Sequence, residues 1–296
     1  MNRNFRFGTL QLLAKKAGIL FELVQKTVNP KITQKLPKVQ MEYANITVGS
    51  GTRVIIPTQP VKPDGSVNVM FQFRGGSPAL FSKAGVNTVI VQADAGGIGG
   101  GPSRKAYGNP EFINQAVNKV INYLSEKTGQ KVTLGKLGLS GFSGGYDPIH
   151  GILEAQQKGW GKLIKEPDYV GLFDGMHHSI KPNSPAMQVW ESLAQKAVQG
   201  KTKFVITHSA IKPSYSSTTE TSQYLLDRLN MKRQRVSGAA DGQHPLTVAS
   251  SGNFNVYQLY DQPAAAKGKA VPGSAEYQHI QALRSMPNYW PTDWDK

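Results

Sequence analysis

The chain has 296 residues, 39% of them hydrophobic, and a formal net charge of +15 at neutral pH. That length can bury one substantial core, and no stretch approaches the roughly 20 apolar residues that cross a bilayer. There is no cysteine, which excludes disulfides, zinc thiolates and thiol catalysis.

The charge is unevenly placed. Residues 1–40 hold Arg3, Arg6, Lys15, Lys16, Lys26, Lys31, Lys35 and Lys38 against a single acid, Glu22. Such a segment attracts nucleic acid, anionic lipid or an acidic polymer, or it simply forms a solubilising face. No zinc-finger spacing or aromatic RNA-binding motif accompanies it, and Lys232-Arg233-Gln234-Arg235 is too short to argue for nucleic acid. Leu13, Ala17, Leu20, Val24 and Val28 recur at helical spacing, predicting an amphipathic helix over 9–28 that docks on the protein's own core. A membrane surface is its other possible partner. Lys15-Lys16 follow Leu10, Leu12 and Leu13 too closely for a secretory signal, so the expectation is a soluble protein of the cytoplasm or envelope. The expected division is a basic segment with linker over 1–40 and one domain over 41–296.

From about residue 45 strand and helix patterns alternate, which predicts an α/β fold with a mostly parallel sheet and helices on both faces. Ile46–Val48 and Arg53–Ile56 read as short leading strands. Val67–Phe73 alternates and runs into Gly75-Gly76; Val86–Ala93 is a continuous β-type run of the sort buried parallel strands show. The glycine-rich loop 95–101 lacks the ending of a phosphate-binding loop, and no helix is expected until Asn109. It reads as a loop over the site, offering Arg104 and Lys105 to an anionic substrate. Asn109 caps a helix that Gly129 closes, and Val132–Leu139 is the strand after it. Tyr169–Phe173 is a strand ending at Asp174, Pro185 opens a helix that stops at Gly200, and Lys203–Thr207 is a strand ending at His208. Ser217-Thr-Thr-Glu220 is a capping box, Phe254–Leu259 the last strand, and His279 lies beyond it.

Residues 141–145 read Gly-Phe-Ser-Gly-Gly, a match to G-x-S-x-G between an apolar strand and a helix pattern. A serine in so sharp a turn is held in strained backbone, and side chains two residues to either side would collide. Glycines at both places let the Ser143 Oγ stand clear of the sheet as a nucleophile. The Gly144 N–H can then stabilise an oxyanion, with Gly75 or Gly76 as second donor. The acid belongs at a strand end after the nucleophile, where Asp174 stands; Glu220 is better spent on its cap. The base belongs after the last strand, which favours His279 over His244. His177 and His208 fall at the carboxyl edge of the sheet, where ligands bind. A zinc site from Asp174, His177, His178 and His208 has no recognised ligand spacing, so lining the substrate pocket or hydrogen bonding to the acid loop is the preferred role and neither metal nor cofactor is expected.

Together the Gly-Gly turn, the elbow, the acid and the late histidine resemble the α/β-hydrolase superfamily over residues 45–290. The stretches SGFSGGY, LFDGMHHS, THSAIKPSYSSTTETSQYL and EYQHIQAL resemble a bacterial group of such serine hydrolases. The resemblance implies a triad of Ser143, Asp174 and His279 and leaves the substrate open. Asp174 follows the sixth strand where many members carry the acid after the seventh, and Arg74 stands where many esterases have histidine. The activity expected is hydrolysis of a small-molecule or polymer ester, possibly anionic, through an acyl-serine. The rival is a non-catalytic module on the same fold that holds an anionic polymer or envelope surface.

Overall fold

The computed structural model describes residues 39–84, 87–96, 100–181, 184–236, 244–261, 274–291, 293 and 294. The amphipathic helix expected over 9–28 lies outside the described residues. Within them the chain forms one ten-stranded sheet in the order β1-β2-β4-β3-β5-β6-β7-β10-β9-β8. Strands β3 (Ser66–Phe73), β4 (Thr88–Ala93), β5 (Thr133–Phe142), β6 (Tyr169–Phe173), β7 (Lys203–His208) and β10 (Phe254–Gln258) make a parallel block. Antiparallel pairs flank it on each side: β1 (Met41–Ala44) with β2 (Thr52–Pro57), and β8 (Gln234–Arg235) with β9 (Thr247–Ser251).

Both faces are covered, as the near-continuous apolar runs require. On one face Val69, Phe71, Val89, Val91 and Val170 pack against α3 (Pro110–Thr128), α4 (Tyr146–Gln157), α5 (Pro185–Val198) and α6 (Thr218–Arg228). On the other, Met70, Ile90 and Tyr169 meet Phe81 of α1 (Pro78–Ser82), Ala282 of α7 (Ala275–Ser285), Trp290 and Trp294. The α3 boundaries follow from local chemistry. The Asn109 side chain accepts from the Phe112 N–H, and Gly129 closes the helix at φ 68°, a left-handed conformation that glycine adopts without strain. Ser217 and Glu220 form the expected reciprocal capping box on α6. Among the described residues no helix is long and apolar enough to cross a membrane.

Two expectations need correction, and the sheet has an edge that the sequence patterns do not announce. Ile46–Val48 is not a strand: β1 lies earlier, pairing Met41–Ala44 with Val54–Pro57, while Val48 is apolar because it is buried in the loop beneath α3. The stretch after the glycine-rich loop is not open. Gly101–Tyr107 forms a short helix, α2, with Pro102 in its first turn and Tyr107 buried. The sheet also continues past β10, because Ser251-Gly252-Asn253 turns the chain tightly enough to pair β9 with it.

Candidate active site

The strand registers bring the candidate residues to one edge. Phe73 on β3 pairs with Gly141 on β5, Phe142 with Phe173 on β6, and Phe173 with Thr207 on β7. The residues just past these pairs are therefore Arg74-Gly75, Ser143, Asp174 and His208-Ser209, side by side at the carboxyl ends of parallel strands.

Strand β5 passes directly into a 3-10 turn, Ser143–Gly145, and then into α4. Ser143 sits at φ 53°, a region that costs an L-residue roughly 1–2 kcal/mol. The glycine spacing has the cause expected. A β-carbon on Gly141 would lie 2.5 Å from the Gly145 carbonyl oxygen, and one on Gly145 would run into the carbonyl oxygen of Phe73. The elbow thus closes only with glycine at both positions, and it closes against β3. Six parallel strands in this order, two strands crossing over at β3 and β4, and a strained serine at the turn into α4 decide the architecture. The chain has the α/β-hydrolase fold.

No family model matches the chain, and no curated protein matches it. Among solved structures, an acylaminoacyl peptidase of Pyrococcus horikoshii overlaps 86% of this chain at 12% identity and TM-score 0.41. The chain spans only 41% of that peptidase's length. Esterase B of Lactobacillus rhamnosis overlaps 95% of this chain and 90% of its own, at 11% identity and TM-score 0.42. An arylesterase overlaps 98% and 97%, at 12% identity and TM-score 0.39. These overlaps are too loose to carry the argument; the fold rests on the strand order and the elbow.

Asp174 stands at φ 47° and is buried, with 4% of its surface exposed. Its Oδ2 lies 2.7 Å from His279 Nδ1. Ser209 donates to the same carboxylate from its N–H at 3.0 Å and from its Oγ at 3.0 and 2.8 Å. Burial pushes this carboxyl up, but the His279 and Ser209 bonds outweigh it and hold Asp174 below the usual carboxylate range. His279 comes from α7, and its ring packs on Phe142, with centroids 4.4 Å apart, beside Ser143. Among the described residues neither the Ser143 hydroxyl nor the His279 Nε2 makes a hydrogen bond.

Gly75 and Gly76 follow Arg74 at φ 75°, 103° and 65° in a left-handed run off β3. A β-carbon on Gly75 would meet Phe142 at 3.3 Å, so the turn abuts the elbow. Gly144 is buried within the 3-10 turn that Ser143 opens. His177 lies nearby, its Nδ1 3.4 Å from the Ser216 carbonyl and its ring edge-on to Tyr146 and Tyr215.

Two candidates are placed elsewhere. His208 is fully buried and presents no surface to a ligand. Its Nδ1 donates to the Ser209 carbonyl at 2.9 Å, which leaves Nε2 to accept from Arg233 at 2.9 Å. It props the residue that holds Asp174. Arg104 is spent within the fold: it pairs with Asp147 at 3.1 Å and with Glu154, and reaches His150 Nδ1 at 2.6 Å. Two carboxylates neutralise its charge, so a substrate finds little cation there. Ser209 was not legible in sequence, since no local pattern separates a serine directly after a strand from an ordinary loop serine.

The buried histidines make stability depend on pH. Burial, with help from the Arg233 charge, pushes His208 down to about 4; burial and the charges of His150 and Arg104 push His178 to about 3. The unfolded chain takes up these protons near pH 6.5, so between that value and the folded ones the unfolded state binds more protons. This contribution is complete above pH 6.5 and is lost as the pH falls below it, at about 1.4 kcal/mol per pH unit for each ring. Urea unfolding between pH 7.5 and 5 is expected to show that slope, and His208→Gln to remove one ring's share. An unchanged slope in the variant would show that His208 titrates normally in the folded protein.

Proposed function

We propose that this protein is a serine hydrolase that cleaves carboxylic esters, with Ser143 as nucleophile, His279 as general base and Asp174 as the group that orients it. The observation that carries this reading is the 2.7 Å bond from His279 Nδ1 to a buried carboxylate, at the sheet edge where Ser143 is held in a strained elbow. Because Nδ1 carries the proton shared with Asp174, Nε2 is left with a lone pair that can accept the Ser143 proton. On substrate binding Ser143 Oγ attacks the carbonyl carbon while Nε2 takes its proton. The tetrahedral oxyanion is met by the N–H groups of Gly144 and of Gly75 or Gly76. The imidazolium then protonates the leaving alcohol, leaving an acyl-serine. Water, deprotonated by Nε2, attacks that ester, and the acid and free Ser143 are released. Esters are preferred to amides because an alkoxide leaves with less help from the general acid than an amine does. His177 is assigned to the substrate-facing wall.

A module that only held an anionic polymer would have no use for a non-glycine residue in the left-handed region at position 143. The decisive experiment is labelling with a fluorophosphonate probe. One mole of label per mole of wild type, at Ser143, is expected, with none on Ser143→Ala. Equal labelling of the variant would remove Ser143 from the reaction.

A further inference from the structure

Two glutamines on neighbouring strands remain unused by this scheme. Gln72 on β3 and Gln92 on β4 pair in register, so their side chains stand on the same face at the next-to-last residue of each strand. Gln72 is wholly buried, an expensive place for an amide in the middle of an apolar strand. Both spend their Nε2 on the Gly-Gly turn. Gln72 donates to the Arg74 carbonyl at 2.9 Å and the Phe73 carbonyl at 3.4 Å; Gln92 donates to the Gly75 carbonyl at 3.0 Å and the Gly76 carbonyl at 3.1 Å. Four successive carbonyls are thus held by two amides. Carbonyls only accept, so it is the nitrogens that face the turn, and the two Oε1 atoms have no partner among the described residues. Two amides committed to aiming their donors at one turn call for a reason.

Peptide geometry supplies it. In a trans peptide the C=O of one residue and the N–H of the next lie in one plane and point opposite ways. Holding the Arg74 carbonyl on the glutamine side turns the Gly75 N–H away from it. Holding the Gly75 carbonyl does the same for the Gly76 N–H. The Arg74 N–H is already tied to the Ala93 carbonyl at 3.1 Å, whereas neither glycine N–H is given to a carbonyl of the described fold. Arg74, Gly75 and Gly76 all have positive φ, where a free turn has several alternatives, so the amides select one.

Resting on the hydrolase reading above, we infer that Gln72 and Gln92 are positioning residues that preorganise the oxyanion donors of Gly75 and Gly76 by clamping the carbonyls behind them. Neither glutamine touches the substrate. Their effect is on the stabilisation of developing charge, so it falls on kcat rather than KM.

The test uses the full chain, with 4-nitrophenyl acetate as substrate and phenylboronic acid as a tetrahedral adduct of the serine. Gln92→Leu keeps the apolar surroundings and removes the donors; Gln92→Glu keeps the shape and removes them. Both are expected to lower kcat by about 10- to 100-fold, less than the roughly 100- to 1,000-fold that follows outright loss of an oxyanion donor. KM should stay within about 2-fold, and the boronic acid should bind more weakly by the same factor as kcat falls. Gln72→Leu, at the fully buried position, should show the same pattern; should it fail to fold, the Gln92 pair decides. Folded Gln92 variants with wild-type kcat and boronate affinity, or a loss confined to KM, would overturn the inference alone, since wild type would still turn over and label at Ser143. A wild type that neither hydrolyses the ester nor labels overturns both readings together.

Discussion

Ser143→Gly is expected to abolish ester hydrolysis, lowering kcat by roughly 10⁶-fold, and to raise the stability of the protein. The two effects have one origin. Ser143 is held at φ 53°, where its Cβ costs about 1–2 kcal/mol. Glycine removes that strain but loses about 0.5–1 kcal/mol of backbone entropy on folding, leaving a net gain of about 0.5–1 kcal/mol. Ser143→Ala keeps the strain and should lose activity without the gain. Thermal unfolding of the three proteins beside their hydrolysis of 4-nitrophenyl acetate separates the terms. A glycine variant less stable than the alanine variant would show that position 143 carries no strain.

Asp174→Asn should be nearly isosteric and still cost about 10⁴-fold in kcat. The surroundings dictate which way the amide turns. The Ser209 N–H donates to Oδ1, and the Ser209 hydroxyl donates to both oxygens. An asparagine must therefore keep its carbonyl toward Ser209, because the opposite orientation sets an NH₂ against an N–H donor. That leaves the NH₂ facing His279 Nδ1, which then has to accept, and the ring proton moves to Nε2. An imidazole protonated at Nε2 cannot take the Ser143 proton. The expected signature is a large kcat loss, little change in KM and an almost unchanged melting temperature. Activity within 10-fold of wild type would show that Asp174 does not set the tautomer of His279.

The elements that build the proposed site were legible because each has a local cause. The elbow is visible as glycines at 141 and 145, Asp174 as the first polar residue after five apolar strand residues, and α3 through Asn109 and Gly129. What escaped notice depends on long-range pairing. Strand β9 owes its existence to its hairpin with β10, and two-residue β8 to β9. Helix α2 is too short for a periodic signal, yet it ties Arg104 into its own network and so removes the cation expected to face the substrate. Ser209 and His208 acquire meaning only when β7 lies beside β6. The glutamines had left a trace: Phe71-Gln72-Phe73 and Val91-Gln92-Ala93 each set an amide between apolar residues just before a strand ends. One such glutamine is unremarkable, and the pairing of the two appears only in the register.

The glycine contacts at the elbow also bear on how such a site can change. Gly145 lies against the Phe73 carbonyl and Gly175 against the Ser143 carbonyl, each too close for any β-carbon. Ser143 and the Asp174 loop are thus framed by main chain touching main chain, a contact indifferent to the identity of the neighbouring side chains, whereas the Gly-Gly turn is held by the Gln72 and Gln92 amides. Tyr146, His177 and Tyr215 are outside that frame, and Tyr215 is 60% exposed. On the proposed hydrolase reading, substrate preference can drift through His177, the position assigned to the wall, while the proposed reacting groups stay in place, which makes the wall, and not the elbow, the place to alter for a new ester.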